Sequence, residues 1–170
     1  MKVRLASDIQ KDSILDGEGI RAVIWFQGCL HNCEGCHNPN THDLNGGEEY
    51  DLEDIFKEID DLKYHQGITL SGGDPFFQPV AATEIAEHAH KNGLNVWAYT
   101  GFTFEQLLEM MKNNPDLEAF LQNVDILIDG KFDLKRKSLA CKFRGSTNQR
   151  VIDVSQSLKQ KKAIIASEYK

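Results

Sequence analysis

Three of the four cysteines lie within eight residues, in the segment CLHNCEGC. They are Cys29, Cys33 and Cys36, with the spacing C-x3-C-x2-C, whereas Cys141 stands far along the chain. Thiolates at this short spacing suit a small polynuclear cluster with sulfur ligands, as in iron–sulfur proteins. A four-iron cluster with three protein ligands keeps one iron open for a small molecule, as a catalytic metal site keeps an open position. The spacing therefore predicts a four-iron cluster.

Two other uses of these thiols stay open. A structural zinc site would combine the cysteines with another ligand, and a redox dithiol would use Cys33 and Cys36 alone. Zinc sites usually have paired C-x2-C halves, and a dithiol would open a helix and leave Cys29 without a role. In the zinc alternative, the additional ligand would come from His31, His37, His42 or Cys141. In the cluster interpretation, Cys141 is a spare, partly buried thiol.

A second unusual segment is SGGDP, residues Ser71–Pro75. The pair Gly72-Gly73 allows close approach of the backbone to a ligand and a positive φ. The acid that follows, Asp74, suits a ligand ammonium group. By itself this segment is also typical of an ordinary turn.

Strand and helix patterns alternate along the chain, which predicts an α/β fold with a mostly parallel sheet. We find no internal domain boundary, and we expect residues 1–170 to form a single domain. The predicted strands are Arg21–Gln27, Gly67–Ser71, Leu94–Tyr99, Val124–Ile128 and an edge strand Ala163–Ala166. The predicted helices are Asp51–Tyr64, one beginning at Pro79, one capped by Thr103 and Gln106, Asp116–Gln122 and Val154–Lys161, with a long loop over Lys131–Arg150.

Each conspicuous polar or glycine-rich segment directly follows a predicted strand. These segments are Cys29–Cys36, Gly72–Asp74, Thr100-Gly101 and Asp129–Lys131. Ligands of parallel α/β sheets bind at the carboxyl ends of the strands. We therefore expect the four segments to form one site.

Composition excludes several functional classes. The net charge of −7 disfavours a general nucleic-acid binder, which needs a basic surface. Apolar runs are too short to span a membrane, and the first residues lack the apolar stretch of a secretory signal, so we expect a cytoplasmic protein. The 170 residues also fall short of the ~250 that a closed eight-stranded α/β barrel usually takes.

Together, these motifs resemble the radical S-adenosylmethionine (SAM) enzymes. The sequence is most similar to the branch of anaerobic ribonucleoside-triphosphate reductase activating proteins, which are glycyl-radical activases. That branch implies a partial, incomplete β/α barrel. The segments that carry the resemblance are DGEGIR (16–21), GCLHNCEGCHNP (28–39), LSGGDP (70–75), WAYTG (97–101), VDILIDGKF (124–132) and FRGSTNQR (143–150).

The resemblance implies roles for particular residues. Cys29, Cys33 and Cys36 would bind a [4Fe-4S] cluster, whose fourth iron takes the amino nitrogen and carboxylate of SAM. Reductive cleavage of SAM would give methionine and a 5′-deoxyadenosyl radical. The residues implied to contact SAM are Gly35, Cys36 and His37 on the adenine side, Gly72, Gly73 and Asp74 at the amino group, and Asp129 and Lys131.

The implied partner is the large subunit of an anaerobic ribonucleotide reductase, which would receive a glycyl radical. An electron donor such as flavodoxin or a thioredoxin-type reductant is implied as well. Two positions depart from the wider superfamily, because Gly35 replaces a common aromatic residue and Asp74 a commoner Glu. The alternatives are an activase of another glycyl-radical enzyme, such as a lyase, and a non-catalytic zinc-binding module. Asn148 and Arg150 serve either the family's structure or partner docking.

Overall fold

The molecule is built on one mixed sheet of eight strands, seen in a computed structural model that describes residues 1–36 and 38–169. Its strand order is β4-β1-β3-β5-β6-β7-β8, and β2 pairs with β3 as well. The strands are β1 Lys2–Leu5, β2 Gln10–Ser13, β3 Arg21–Phe26, β4 Glu48–Asp51, β5 Gly67–Gly72, β6 Asn95–Tyr99, β7 Ile126–Asp129 and β8 Arg150–Asp153.

Helices connect the parallel strands at the centre of this sheet. Strands β3, β5, β6 and β7 run parallel, with Phe26 opposite Gly72 and Tyr99 opposite Ile128. The flanking pairs β1–β3, β1–β4, β2–β3 and β7–β8 are antiparallel. The helices are α1 Leu52–Asp60, α2 Pro79–Lys91, α3 Phe104–Met110, α4 Pro115–Gln122 and α5 Val154–Gln160. The prediction of an α/β fold with a parallel central sheet is confirmed.

The two faces of the sheet pack into different apolar clusters, because successive side chains of a strand point to opposite sides. Ile24, Leu70 and Ala98 belong to the main apolar core, which includes buried residues of all five helices. Trp97 and Ile128 belong to a second, smaller cluster.

A buried cation ties the parallel strands together on the side of Trp97. The Arg21 side chain is fully buried, its Nε donates to Thr69 Oγ1 at 2.8 Å, and its guanidinium lies 5.3 Å from the centre of the Trp97 ring. Burial lowers the pKa of Arg21 to about 10. The segment DGEGIR holds this cation, since Arg21 Nη1 donates to the carbonyl of Glu18 at 2.9 Å.

The prediction of an edge strand over Ala163–Ala166 is wrong. That segment makes only a single bridge, from Ile165 to Ile152, and the strand on this edge is β8, which starts at Arg150 inside the expected loop. The antiparallel strands β1, β2 and β4 were not predicted. No helix in the described part of the chain is long and apolar enough to cross a membrane.

Candidate active site at the ends of the parallel strands

The four conspicuous segments meet at one edge of the sheet. The backbone N–H of Asp74, after β5, donates to the carbonyl of Gly28, after β3, at 2.9 Å. Thr100, after β6, donates through its backbone N–H to Ile128 in β7 at 3.0 Å. Parallel register brings these carboxyl ends together at one edge, and their use as a common binding site stays a prediction.

The cysteine loop, residues 28–42, starts two residues after β3, and its two ends pair with each other. Backbone N–H groups of Gly28 and Cys29 donate to the carbonyls of Thr41 and His42 at 2.6 and 3.0 Å. A tight turn from Cys33 to Cys36 is closed by a 3.2 Å backbone hydrogen bond between them. The ends of the loop are therefore fixed by the protein itself.

All four cysteines are free, and the three of the cysteine loop are half-buried. Burial, together with the charges of Asp74, Cys33 and Cys36, raises the pKa of the Cys29 thiol to about 11. Burial also raises the pKa of Cys33, whereas the backbone of Phe132 and the charge of Lys131 lower it. Three clustered sulfur donors match the ligand set of an iron–sulfur cluster, and cluster binding would release their protons.

The Cys36 thiol has neighbours of its own. Its Sγ lies 3.4 Å from both the Asn38 backbone nitrogen and His42 Nε2. Within residues 1–36 and 38–169, no three His, Cys, Asp or Glu side chains gather closely enough to hold a single metal ion. A four-iron cluster needs no such convergence, because each thiolate binds a different iron.

Asp74 is the most heavily hydrogen-bonded of the predicted site residues. Its side chain is fully buried. Oδ1 accepts from the Phe76 backbone at 2.9 Å, while Oδ2 accepts from Thr100 Oγ1 at 2.8 Å and from the Gly101 backbone at 2.9 Å. The carboxylate thus joins the ends of β5 and β6. Its contact with SAM stays a prediction.

His31 is a site residue whose role the sequence did not indicate. Its Nε2 lies 2.7 Å from Asp74 Oδ2, and its side chain is only 6% exposed. Its ring packs edge-on against Phe102, with centroids 4.5 Å apart. A Cβ on Gly101 would lie 2.4 Å from this ring. The cysteine loop is therefore anchored to the strand ends through His31.

Glycine is required at all three predicted glycine positions of the site, Gly35, Gly72 and Gly73. A Cβ on Gly73 would lie 2.4 Å from the carbonyl oxygen of Gly28, so the cysteine loop packs directly on the backbone there. Gly35 has φ +72°, and a Cβ on it would lie 3.0 Å from Leu134. A larger side chain at this position would have to displace Leu134.

Asp129, the last residue of β7, lies in an ionic network. It is buried, and its two oxygens accept from Arg150 Nε at 3.1 Å and Nη2 at 2.5 Å. It also accepts from the Phe104 backbone at 2.8 Å, and Arg150 Nη2 donates to Glu105 at 2.7 Å. This hydrogen bonding raises the pKa of Arg150 and lowers that of Glu105. Arg150 therefore serves the structure of the strand end.

Side chains of the segment FRGSTNQR form hydrogen bonds with the backbone that follows β7. Asn148 Nδ2 donates to the carbonyl of Lys131 at 2.9 Å, and Gln149 Nε2 donates to that of Gly130 at 3.0 Å. Lys131 itself is exposed, and Cys141 is half-buried. A cleft of ≈ 460 Å³ separates Glu34 of the cysteine loop from this chain and is lined by Lys131, Leu134 and Asn148 among others. His37, another predicted SAM contact, lies outside the described residues.

Comparison with known proteins places the chain in a family. Residues 15–152 match the family model described as a 4Fe-4S single cluster domain. Proteins named anaerobic ribonucleoside-triphosphate reductase-activating protein are 36% identical in Salmonella typhimurium, Escherichia coli K12 and Enterobacteria phage T4. The alignments cover 80, 80 and 81% of this chain and 90, 90 and 86% of those relatives. The chain belongs to this family of activating proteins.

The family match of this activating protein covers the whole candidate site. Residues 15–152 include the cysteine loop, the segment after β5 and the chain after β7. A crystal structure of QueE from Escherichia coli aligns with a TM-score of 0.45 and 16% identity, over 60% of this chain and 54% of QueE.

Proposed function

We propose that this chain activates an anaerobic ribonucleoside-triphosphate reductase by generating a glycyl radical on it. The observation that carries the proposal is the family match, which extends over the three-cysteine loop and the glycine pair beside it. The relatives that share this match are named for activation of that reductase. The chain would act as one activase domain over residues 1–170.

The cofactors proposed for this site are a [4Fe-4S] cluster and SAM. Bound there, they supply one-electron reductive cleavage of SAM to methionine and a 5′-deoxyadenosyl radical. Cys29, Cys33 and Cys36 would hold the cluster. Residues proposed to contact SAM are Gly35, Cys36, His37, Gly72, Gly73, Asp74, Asp129 and Lys131.

The protein's contribution is to position the cofactors and to shield them from water. The half-buried thiols provide sulfur ligands in a partly dehydrated setting. Asp74 holds the ends of β5 and β6 together through its hydrogen bonds, which supports a role for it in orienting the Gly72-Gly73 backbone.

An electron donor such as flavodoxin or a thioredoxin-type reductant would supply the electron. A cytoplasmic location completes the proposal, and four free cysteines suit such a reducing compartment.

The test is anaerobic reconstitution with iron and sulfide, followed by reduction in the presence of SAM and the reductase. We expect a brown protein, methionine and 5′-deoxyadenosine as products, and a glycyl-radical signal in electron paramagnetic resonance. Replacing Cys29, Cys33 or Cys36 with Ala should abolish the colour and the signal, while the control Cys141→Ala keeps both. A colourless protein that binds one stoichiometric zinc would contradict the proposal.

A further inference from the structure

Positive charge is concentrated in the basic loop, defined as residues 131–149 between β7 and β8. It holds six Lys and Arg side chains and one Asp, a formal charge of +5 in a chain of net charge −7. The rest of the chain therefore carries −12. An acidic macromolecule would be attracted to this loop and repelled by the remaining surface, which fixes the orientation of its approach.

Most of this charge is available to a partner. Lys135, Lys137 and Lys142 are exposed and form no ion pair within the described part of the chain. Arg136 pairs with Asp133 at 3.7 Å, and these two side chains are 60% and 41% exposed.

The basic loop is folded rather than loosely extended. Lys137 and Ser146 form an antiparallel bridge, and the Thr147 backbone donates to the carbonyl of Arg136 at 3.0 Å. Asp133 N–H also donates to Ser146 Oγ at 3.2 Å. An ordered loop loses less conformational entropy when it binds a partner.

An apolar side chain stands among these charges. Leu139 is 95% exposed. Protein interfaces commonly combine an apolar centre with a polar rim, and Leu139 with its basic neighbours offers both.

The basic loop also adjoins the candidate site. The charge of Lys131 acts on the Cys33 thiol, and Leu134 covers Gly35 of the cysteine loop. A partner seated on the basic loop would therefore lie beside the cysteines.

We propose that the basic loop is the docking surface for an acidic face of the reductase, with Leu139 as its apolar contact. This inference rests on the proposed function, because it assumes that the reductase is the protein substrate. Docking here brings the reductase next to the site at which its glycine must react.

The test compares two triple variants of equal net charge in the reconstituted holoprotein. Lys135→Glu/Lys137→Glu/Lys142→Glu reverses the basic loop, and Lys57→Glu/Lys63→Glu/Lys91→Glu reverses three exposed lysines elsewhere. We expect the loop variant to raise the Kd for the reductase at least about tenfold, and the control variant to change it less than about twofold. The wild-type Kd should rise at least about tenfold between 0.05 and 0.5 M NaCl.

Cleavage of SAM by the reduced protein without reductase separates this inference from the proposed function. We expect both triple variants to cleave SAM at the wild-type rate. Equal binding of the reductase by the two variants overturns the docking surface, whereas absence of SAM cleavage in the wild type overturns the proposed function. Leu139→Ser is a second probe, expected to raise the Kd about three- to tenfold, and an unchanged Kd argues against its contact.

Discussion

His31 Nε2 and Asp74 Oδ2 lie 2.7 Å apart, between the cysteine loop and the end of β5. Both side chains are shielded from water, His31 to within 6% exposure and Asp74 completely. Loss of the histidine would leave Asp74 with three donors and open a gap beside Phe102. This pair therefore links the stability of the cysteine loop to that of the sheet edge.

We expect His31→Ala to lower the free energy of unfolding by about 1.5–3 kcal/mol, because a buried hydrogen bond to a carboxylate is lost. Anaerobic urea denaturation of the cluster-free protein measures this change. The control is His90→Ala, which breaks a 2.8 Å contact with Asp125 between partly exposed side chains and should cost less than about 1 kcal/mol. Equal losses in the two variants would refute the special role of the buried pair.

Gly73→Ala should displace the cysteine loop, since the added Cβ would meet the backbone of Gly28 at 2.4 Å and of Thr41 at 2.8 Å. We expect a loss of about 2 kcal/mol or more in stability and a reduced iron content after reconstitution. Gly93→Ala is the comparison, because it has φ +75° and no atom within 4 Å of the added Cβ. It should cost only about 1–2 kcal/mol of backbone strain and keep full iron content. Normal iron loading of Gly73→Ala would show that the close contact is dispensable.

Arg150→Met should destabilise the protein by about 3–5 kcal/mol, because the buried Asp129 carboxylate loses its cationic partner. Urea denaturation gives the value. Lys112→Met removes an exposed partner of Glu109 at 2.8 Å and should cost less than about 1 kcal/mol. If the Arg150 variant behaves like the Lys112 variant, Asp129 does not depend on this ion pair.

Glu105 should make a small contribution to stability that depends on pH. Its hydrogen bond from Arg150 lowers its pKa in the folded state, so the contribution is present above its unfolded pKa and is lost as the pH falls through the lower folded value. Glu105→Gln should therefore lower the Tm slightly at pH 7 and by a smaller amount at pH 3, with Glu87→Gln as an exposed control. An equal Tm difference at both pH values would contradict this prediction.

The parallel centre of the sheet was readable from the sequence because its strands are short apolar runs that end in glycine or polar residues. Strand β3, RAVIWF, is an example. Strands β2 and β4, QKDS and EEYD, are polar and mostly exposed, so no apolar pattern marks them. Their pairing is decided by neighbouring strands and not by local propensity.

The edge at which the conspicuous segments meet was predictable from the sequence, but the contacts among their residues were not. Strand ends indicated where Asp74 and Asp129 would lie, yet their hydrogen-bond partners Thr100 and Arg150 are 26 and 21 residues away in the chain. His31 drew attention only as an optional zinc ligand. A histidine two residues after the first cysteine carries no local signal that it reaches a carboxylate 43 residues away.

The closed ends of the cysteine loop bear on the order of assembly. Two backbone hydrogen bonds, from Gly28 to Thr41 and from Cys29 to His42, hold the two ends of this loop together without help from iron. Small zinc domains, by contrast, are unfolded until the metal arrives. Because these hydrogen bonds use protein groups alone, we expect the ends of the cysteine loop to hold their places before the cluster binds and after it is lost by oxidation.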